Sequence, residues 1–99
     1  MLKNTFTEFK FDDGESVKMT LTFYAIYQLK NRNKKLYDEY NKVMTNGIKE
    51  ELDMITILYT AYLCANTEET MSFEDFIIKC GSNRRKVRET VAVLQNPKN

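Results

Sequence analysis

One stretch constrains this chain more than any other: DMITILYTAYLCAN, over 53–66, is apolar almost all the way round a helix. Its apolar side chains fall on two helical faces, Ile55, Leu58, Tyr62 and Ala65 on one and Met54, Ile57, Ala61 and Cys64 on the other. A helix that is apolar on several faces needs neighbours on several sides. The pattern therefore predicts the central helix of a small bundle, and it favours packing and binding over catalysis.

The remaining helices are predicted from apolar spacing and end signals. From Thr22 the spacing becomes helical, with Phe23, Ile26 and Tyr27 on one stripe, and 31–33 breaks or bends the helix. Further helices are predicted over about 34–45, 49–65, 72–80 and 83–94. The signals are Gly47 and Gly81 as helix ends, Ser72 as an N-cap, and Pro97 as a barrier to further helix.

Residues 5–21 are predicted to form a β-hairpin. Phe9 and Phe11 share one side of a first strand, and Val17, Met19 and Leu21 share one side of a second. The turn DDGE, over 12–15, gives Gly14 the positive φ that such a turn needs. An isolated hairpin is marginal in water, so it must lie on helices or pair with another chain.

These elements predict a mainly α fold, a small bundle of about five helices with an N-terminal β-hairpin. We expect one domain over 1–99, with the hairpin at 5–21, the bundle at 22–95 and a tail at 96–99. A hydrophobic content of 42% fits a globular chain, and the net charge of +1 gives no general reason to bind nucleic acid or membranes. No apolar run is long enough for a signal peptide or a membrane span, which predicts a soluble protein.

Residue types argue against a metal, a cofactor and an enzyme. The chain has no histidine, and the two cysteines, Cys64 and Cys80, lack metal-type spacing, so two reduced thiols are expected rather than a disulfide. Neighbouring acids such as Glu50 and Glu51 point about 100° apart on a helix and cannot easily flank one substrate. No glycine-rich phosphate loop or activated serine is present either.

All six tyrosines form i, i+3 pairs: Tyr24/Tyr27, Tyr37/Tyr40 and Tyr59/Tyr62. Residues at this spacing are neighbours on a helix. The pairs could line the edges of the core with wet hydroxyls, or some could form a face for a partner. Tyr37, among charged neighbours, is the expected exposed one. The predicted partner-contacting residues are Tyr37, Tyr40, Phe73 and Phe76.

Basic residues form two clusters: Lys30, Arg32, Lys34 and Lys35, then Arg84, Arg85, Lys86 and Arg88. The second cluster opens a helix after a glycine turn, which permits a helix-turn-helix over 72–94. In that alternative, a small DNA-binding regulator, Arg84, Arg85 and Arg88 would contact nucleic acid. The near-neutral charge argues against it, because nucleic-acid binders are usually basic, and a charge run is usually a solvated face.

Several stretches in this order resemble tail assembly chaperones of siphophages that infect Gram-positive bacteria. They are FKFDDGESVKMTLTF, LKNRNKKLYDEYNKVMTNG, ITILYTAYLCAN, MSFEDFI and the terminal NPKN. The resemblance covers nearly the whole chain apart from KCGSNRRKVR, over 79–88, and it offers no fixed site motif. Chaperones of this family are typically mostly helical and self-associate.

The resemblance implies a non-catalytic role in tail assembly. Such chaperones coat the tape measure protein in the host bacterial cytoplasm, keep it soluble, help recruit tail tube subunits and are absent from the mature virion. Many are also made in a longer form by programmed ribosomal frameshifting. Here Pro97-Lys98-Asn99 could be encoded CCA-AAA-AAC, which contains a slip-prone heptamer. The gene sequence would test this.

Overall fold

Five helices follow an antiparallel β-hairpin in the computed structural model, which describes residues 6–68 and 71–95. The elements are β1 (Thr7–Lys10), β2 (Ser16–Met19), α1 (Phe23–Arg32), α2 (Lys34–Asn46), α3 (Glu51–Ala65), α4 (Phe73–Cys80) and α5 (Arg84–Gln95). The predicted fold class is therefore confirmed. The predicted tail with Pro97, and residue 5 of the predicted hairpin, lie outside the described residues.

Side-chain caps set the helix boundaries close to where the sequence predicts them. The hydroxyl of Thr22 accepts a hydrogen bond from the amide of Ala25 at 3.2 Å, and that of Ser72 accepts one from the amide of Asp75 at 3.1 Å. The predicted break over 31–33 narrows to Asn33 alone, which ends α1 and caps α2. Such caps satisfy amides that have no partner within the helix.

The predicted central helix is α3. It packs against all four other helices and against β2. Its fully enclosed residues include Ile57, Leu58 and Ala61, each 0% exposed. Both apolar faces therefore have neighbours, which explains why this helix carries so few polar side chains.

The hairpin lies on the helices of its own chain. β1 pairs with β2 so that Phe9 is opposite Val17, and Gly14 has the expected positive φ of 93°. Beside β2, the amide of Thr20 donates to the carbonyl of Ala61 at 3.1 Å, and the side-chain amide of Asn66 donates to the carbonyl of Lys18 at 2.9 Å.

The other side of the hairpin is held in the same way. The ammonium of Lys86 donates to the carbonyl of Lys10, and the amide of Asp12 donates to the carbonyl of Lys79 at 3.4 Å. The sequence left open whether the hairpin lies on helices or pairs with another chain. In the structure it packs on the helices of its own chain. Groups of the same chain occupy part of both outer edges, which reduces the backbone available to a pairing strand.

Candidate partner-binding groove

An apolar groove of about 700 Å³ opens where the start of the hairpin, the start of α1 and the ends of α2 and α5 meet. We call this the apolar groove. Its lining residues are uncharged: Phe6, Thr7, Leu21, Thr22, Phe23, Ile26, Tyr40, Met44, Val93, Leu94 and Gln95. A concave apolar surface without charges is suited to an apolar side chain or the apolar stripe of a helix.

Four large apolar side chains around this groove are open to solvent. Phe23 is 93% exposed, Val93 51%, Phe6 46% and Met44 44%. Single exposed apolar residues are common on proteins, but a contiguous group is typical of an interaction surface. Phe23 in particular buries almost no surface on folding, so its ring is free to contribute to binding.

The floor of the groove belongs to the packed core. Tyr40 and Leu94 are each 8% exposed, and both line the groove from below the exposed residues. Burial raises the pKa of the Tyr40 phenol above its usual range, so the phenol stays neutral at physiological pH. At the rim, the side-chain amide of Gln95 lies 3.4 Å from the sulfur of Met44. The groove therefore has a fixed floor and a more exposed rim.

The four predicted contact residues do not form one exposed surface. Phe76 is 0% exposed, with its ring 5.3 Å from that of Tyr59 and 5.4 Å from that of Tyr62. Tyr40 is also buried, although it reaches the groove floor. Phe73 and Tyr37 are half-buried. As a surface contact Phe76 is wrong, because an apolar ring near a helix start can as easily point inward, whereas Tyr40 is accessible only from the groove.

The exposed tyrosines lie on α1. Tyr24 is 68% and Tyr27 60% exposed, and their rings stack with centroids 6.3 Å apart. The prediction that Tyr37 would be the most accessible tyrosine is thus wrong. The stripe of Phe23, Ile26 and Tyr27, which the sequence predicts for this helix, is not its buried side. That helix buries Ala25 and Leu29 instead, and the density of aromatic residues at 23–27 was the signal for a surface.

The three arginines of the alternative site are exposed, and two of them face carboxylates. The guanidinium of Arg84 lies 2.6 Å from the carboxylate of Glu51, and that of Arg85 lies 3.3 Å from that of Glu89. The hydrogen bond from Arg84 also lowers the pKa of Glu51 below its usual value. These ion pairs compete with phosphate for the guanidinium groups, and nucleic-acid binding stays an untested prediction.

The cysteines are free thiols, both buried. Burial raises the pKa of Cys64 to about 11 and that of Cys80 to about 12, so both are protonated at physiological pH. Within 6–68 and 71–95, no cluster of three or more His, Cys, Asp or Glu residues is placed to hold a metal ion. Over the same residues, no helix is both long and apolar enough to cross a bilayer.

Comparison with protein-family models, with curated proteins and with solved structures finds no match for this chain. The geometry of the apolar groove and the residues around it therefore carry the functional interpretation.

Proposed function

We propose that this chain is a phage tail assembly chaperone that binds apolar stripes of the tape measure protein in the apolar groove. The observation that carries the proposal is a groove whose described lining residues carry no charge, with Phe23 almost fully exposed at its rim. Long helical proteins that expose apolar stripes aggregate unless the stripes are covered. A groove of this kind can cover one segment of such a helix at a time.

Each copy of the chain would bind the tape measure protein weakly, and many copies bound together would hold it strongly. Placing a side chain the size of Phe23 in an apolar environment contributes roughly 1.5–3 kcal/mol. A few such contacts give modest affinity, but many copies along one tape measure protein act together through multivalency. Weak single contacts also allow the copies to leave when tail tube subunits arrive. In this proposal the protein self-associates, acts without catalysis in the host bacterial cytoplasm and is absent from the mature virion.

Co-expression with the tape measure protein tests the proposal. We expect the wild-type chain to keep the tape measure protein in the soluble fraction. Phe23→Ser removes the most exposed ring of the groove and should weaken binding by about 10- to 100-fold, from the transfer energy of that side chain. Because Phe23 touches little of the core, the variant should keep its fold, which circular dichroism can verify.

Ile78→Ser is the matched control. Ile78 is 70% exposed and helical like Phe23, but it lies on α4 and does not line the apolar groove. The Ile78→Ser variant should keep the tape measure protein soluble as the wild type does. Equal aggregation of the tape measure protein with and without the wild-type chain would refute the proposed function. If Phe23→Ser and Ile78→Ser weaken binding of the tape measure protein equally, the groove is refuted as the binding site.

A further inference from the structure

The aromatic surface that begins at the apolar groove continues along α1 and α2 towards a basic end. At the groove end, Phe23 and Ile26 of α1 meet Tyr40 and Met44 of α2. A single residue joins the two helices, so α1 ends where α2 begins. There the ammonium of Lys30 lies 5.2 Å above the ring of Tyr37. Along its 10 residues α1 rises about 15 Å, which is the length of this surface.

Stacked tyrosines continue this surface along α1, because Tyr27 follows Phe23 by four residues and precedes Lys30 by three. Tyr24 stacks on Tyr27. Tyr24 and Tyr27 are the two most exposed tyrosines, and their hydroxyls can hydrogen-bond while their rings pack. Gln28 donates a hydrogen bond from its side-chain amide to the hydroxyl of Tyr24 at 3.2 Å, which helps hold that ring in place. Rigid, partly polar rings of this kind are typical of protein interfaces.

The charge is concentrated at one end. Four basic residues and no acidic residue lie within 30–35, where α1 ends and α2 begins, although the whole chain has a net charge of only +1. Lys34 forms a pair with Asp38, but the side chains are 71% and 56% exposed, so water screens the pair and leaves it weak. Lys30 and Lys35 are exposed as well. Among the residues that the structure describes, those lining the groove end are uncharged, and the far end is positive.

We infer that the occupant of this surface is an amphipathic helix whose apolar stripe ends in acidic side chains. The stripe would lie in the apolar groove and over the tyrosines, and the acidic end would meet Lys30, Lys34 and Lys35. This assignment rests on the proposed function of the groove and adds the polarity of the bound segment. Charge complementarity fixes orientation and register more than it adds affinity.

Peptide binding to the full chain tests the inference. The probes are two labelled peptides with one leucine-rich amphipathic helix, one ending in three glutamates and the other ending in three glutamines. Fluorescence anisotropy at low salt should show about fivefold tighter binding of the glutamate peptide, as a few exposed ion pairs would give. At 1 M salt, where the screening length is about 3 Å, the two peptides should bind equally.

Matched charge variants locate the effect. Lys30→Gln combined with Lys34→Gln should reduce the preference for the glutamate peptide, and adding Lys35→Gln should abolish it. Arg85→Gln combined with Arg88→Gln removes the same charge as the double lysine variant, but from α5, and should leave the preference intact. All these variants change exposed side chains, so unchanged melting temperatures are expected and would be measured alongside.

The outcomes separate this inference from the proposed function. Equal low-salt affinity of both peptides, or a preference that the triple lysine variant keeps, overturns the acidic polarity while leaving groove binding in place. Failure of both peptides to bind, together with aggregation of the co-expressed tape measure protein, overturns the proposed function itself.

Discussion

Replacing Phe76 by alanine should remove a large part of the free energy of unfolding of this protein. Phe76 is 0% exposed, and its ring contacts those of Phe11, Tyr59 and Tyr62 at centroid distances of 5.7, 5.3 and 5.4 Å. The lost transfer energy and the cavity together cost about 3–5 kcal/mol for a buried Phe→Ala change. A domain of this size has a free energy of unfolding of about 5–15 kcal/mol, so this is a large share.

Phe73→Ala is the comparison that isolates burial. Phe73 lies one turn earlier on α4, is half-buried, and has its ring 5.3 Å from that of Tyr59. Its loss leaves an opening to solvent instead of a closed cavity, so about 1–2 kcal/mol is expected. The two variants share the same chemistry and the same helix. They differ mainly in how much of the ring the core encloses.

Urea unfolding followed by circular dichroism gives both values. Phe76→Ala should lower the urea midpoint several-fold more than Phe73→Ala does, with a similar dependence of the unfolding free energy on urea. The melting temperature of Phe76→Ala should fall by about 12–30 °C. Equal destabilisation by both variants would refute the burial argument. A stable Phe76→Ala protein that loses only partner binding would restore Phe76 as a contact residue.

The turn glycines and one surface ion pair give the remaining predictions. Gly81→Ala should cost about 1–3 kcal/mol in urea unfolding, because φ is +69° and the added Cβ would lie 1.7 Å from a carboxylate oxygen of Asp12. Gly14→Ala, at φ +93° with no atom within 4 Å, should cost less, and the reverse order would contradict this account. The hydrogen bond from Arg84 lowers the pKa of Glu51 in the folded protein. The ion pair therefore stabilises the folded state at pH values above the unfolded pKa of Glu51. This contribution disappears as the pH falls through the folded pKa. Wild type should therefore have a higher melting temperature than Glu51→Gln near neutral pH and lose that difference as the pH falls below the folded pKa of Glu51. A difference that persists in acid would exclude the ion pair as its cause.

Local signals predicted the elements well because their causes are local. Ser72, Asn33 and Gly47 act within three or four residues of themselves, through a side-chain acceptor or a positive φ. The turn at Gly14 follows the same logic. The helical period of α3 also needed no partner to be recognised, since an all-round apolar helix is central wherever its neighbours lie.

The accessible aromatic residues could not be predicted in the same way. Phe23 and Phe76 are the same residue type on short helices, yet one is 93% exposed and the other 0%. On α1, Ala25 and Leu29 face the core, while Phe23 and Ile26 border the groove. Hydrophobic periodicity identifies a helix and its apolar side, but it does not tell whether that side meets a core or a partner.

By itself the sequence determined the five helices, the hairpin turn and the central position of α3, because caps, glycines and apolar spacing act over a few residues. Only the tertiary structure decided that the hairpin lies on its own helices and that the start of α1 opens into an apolar groove. Those outcomes depend on the relative placement of segments far apart in the chain. Four such segments form the groove: the start of the hairpin, the start of α1, the end of α2 and the end of α5.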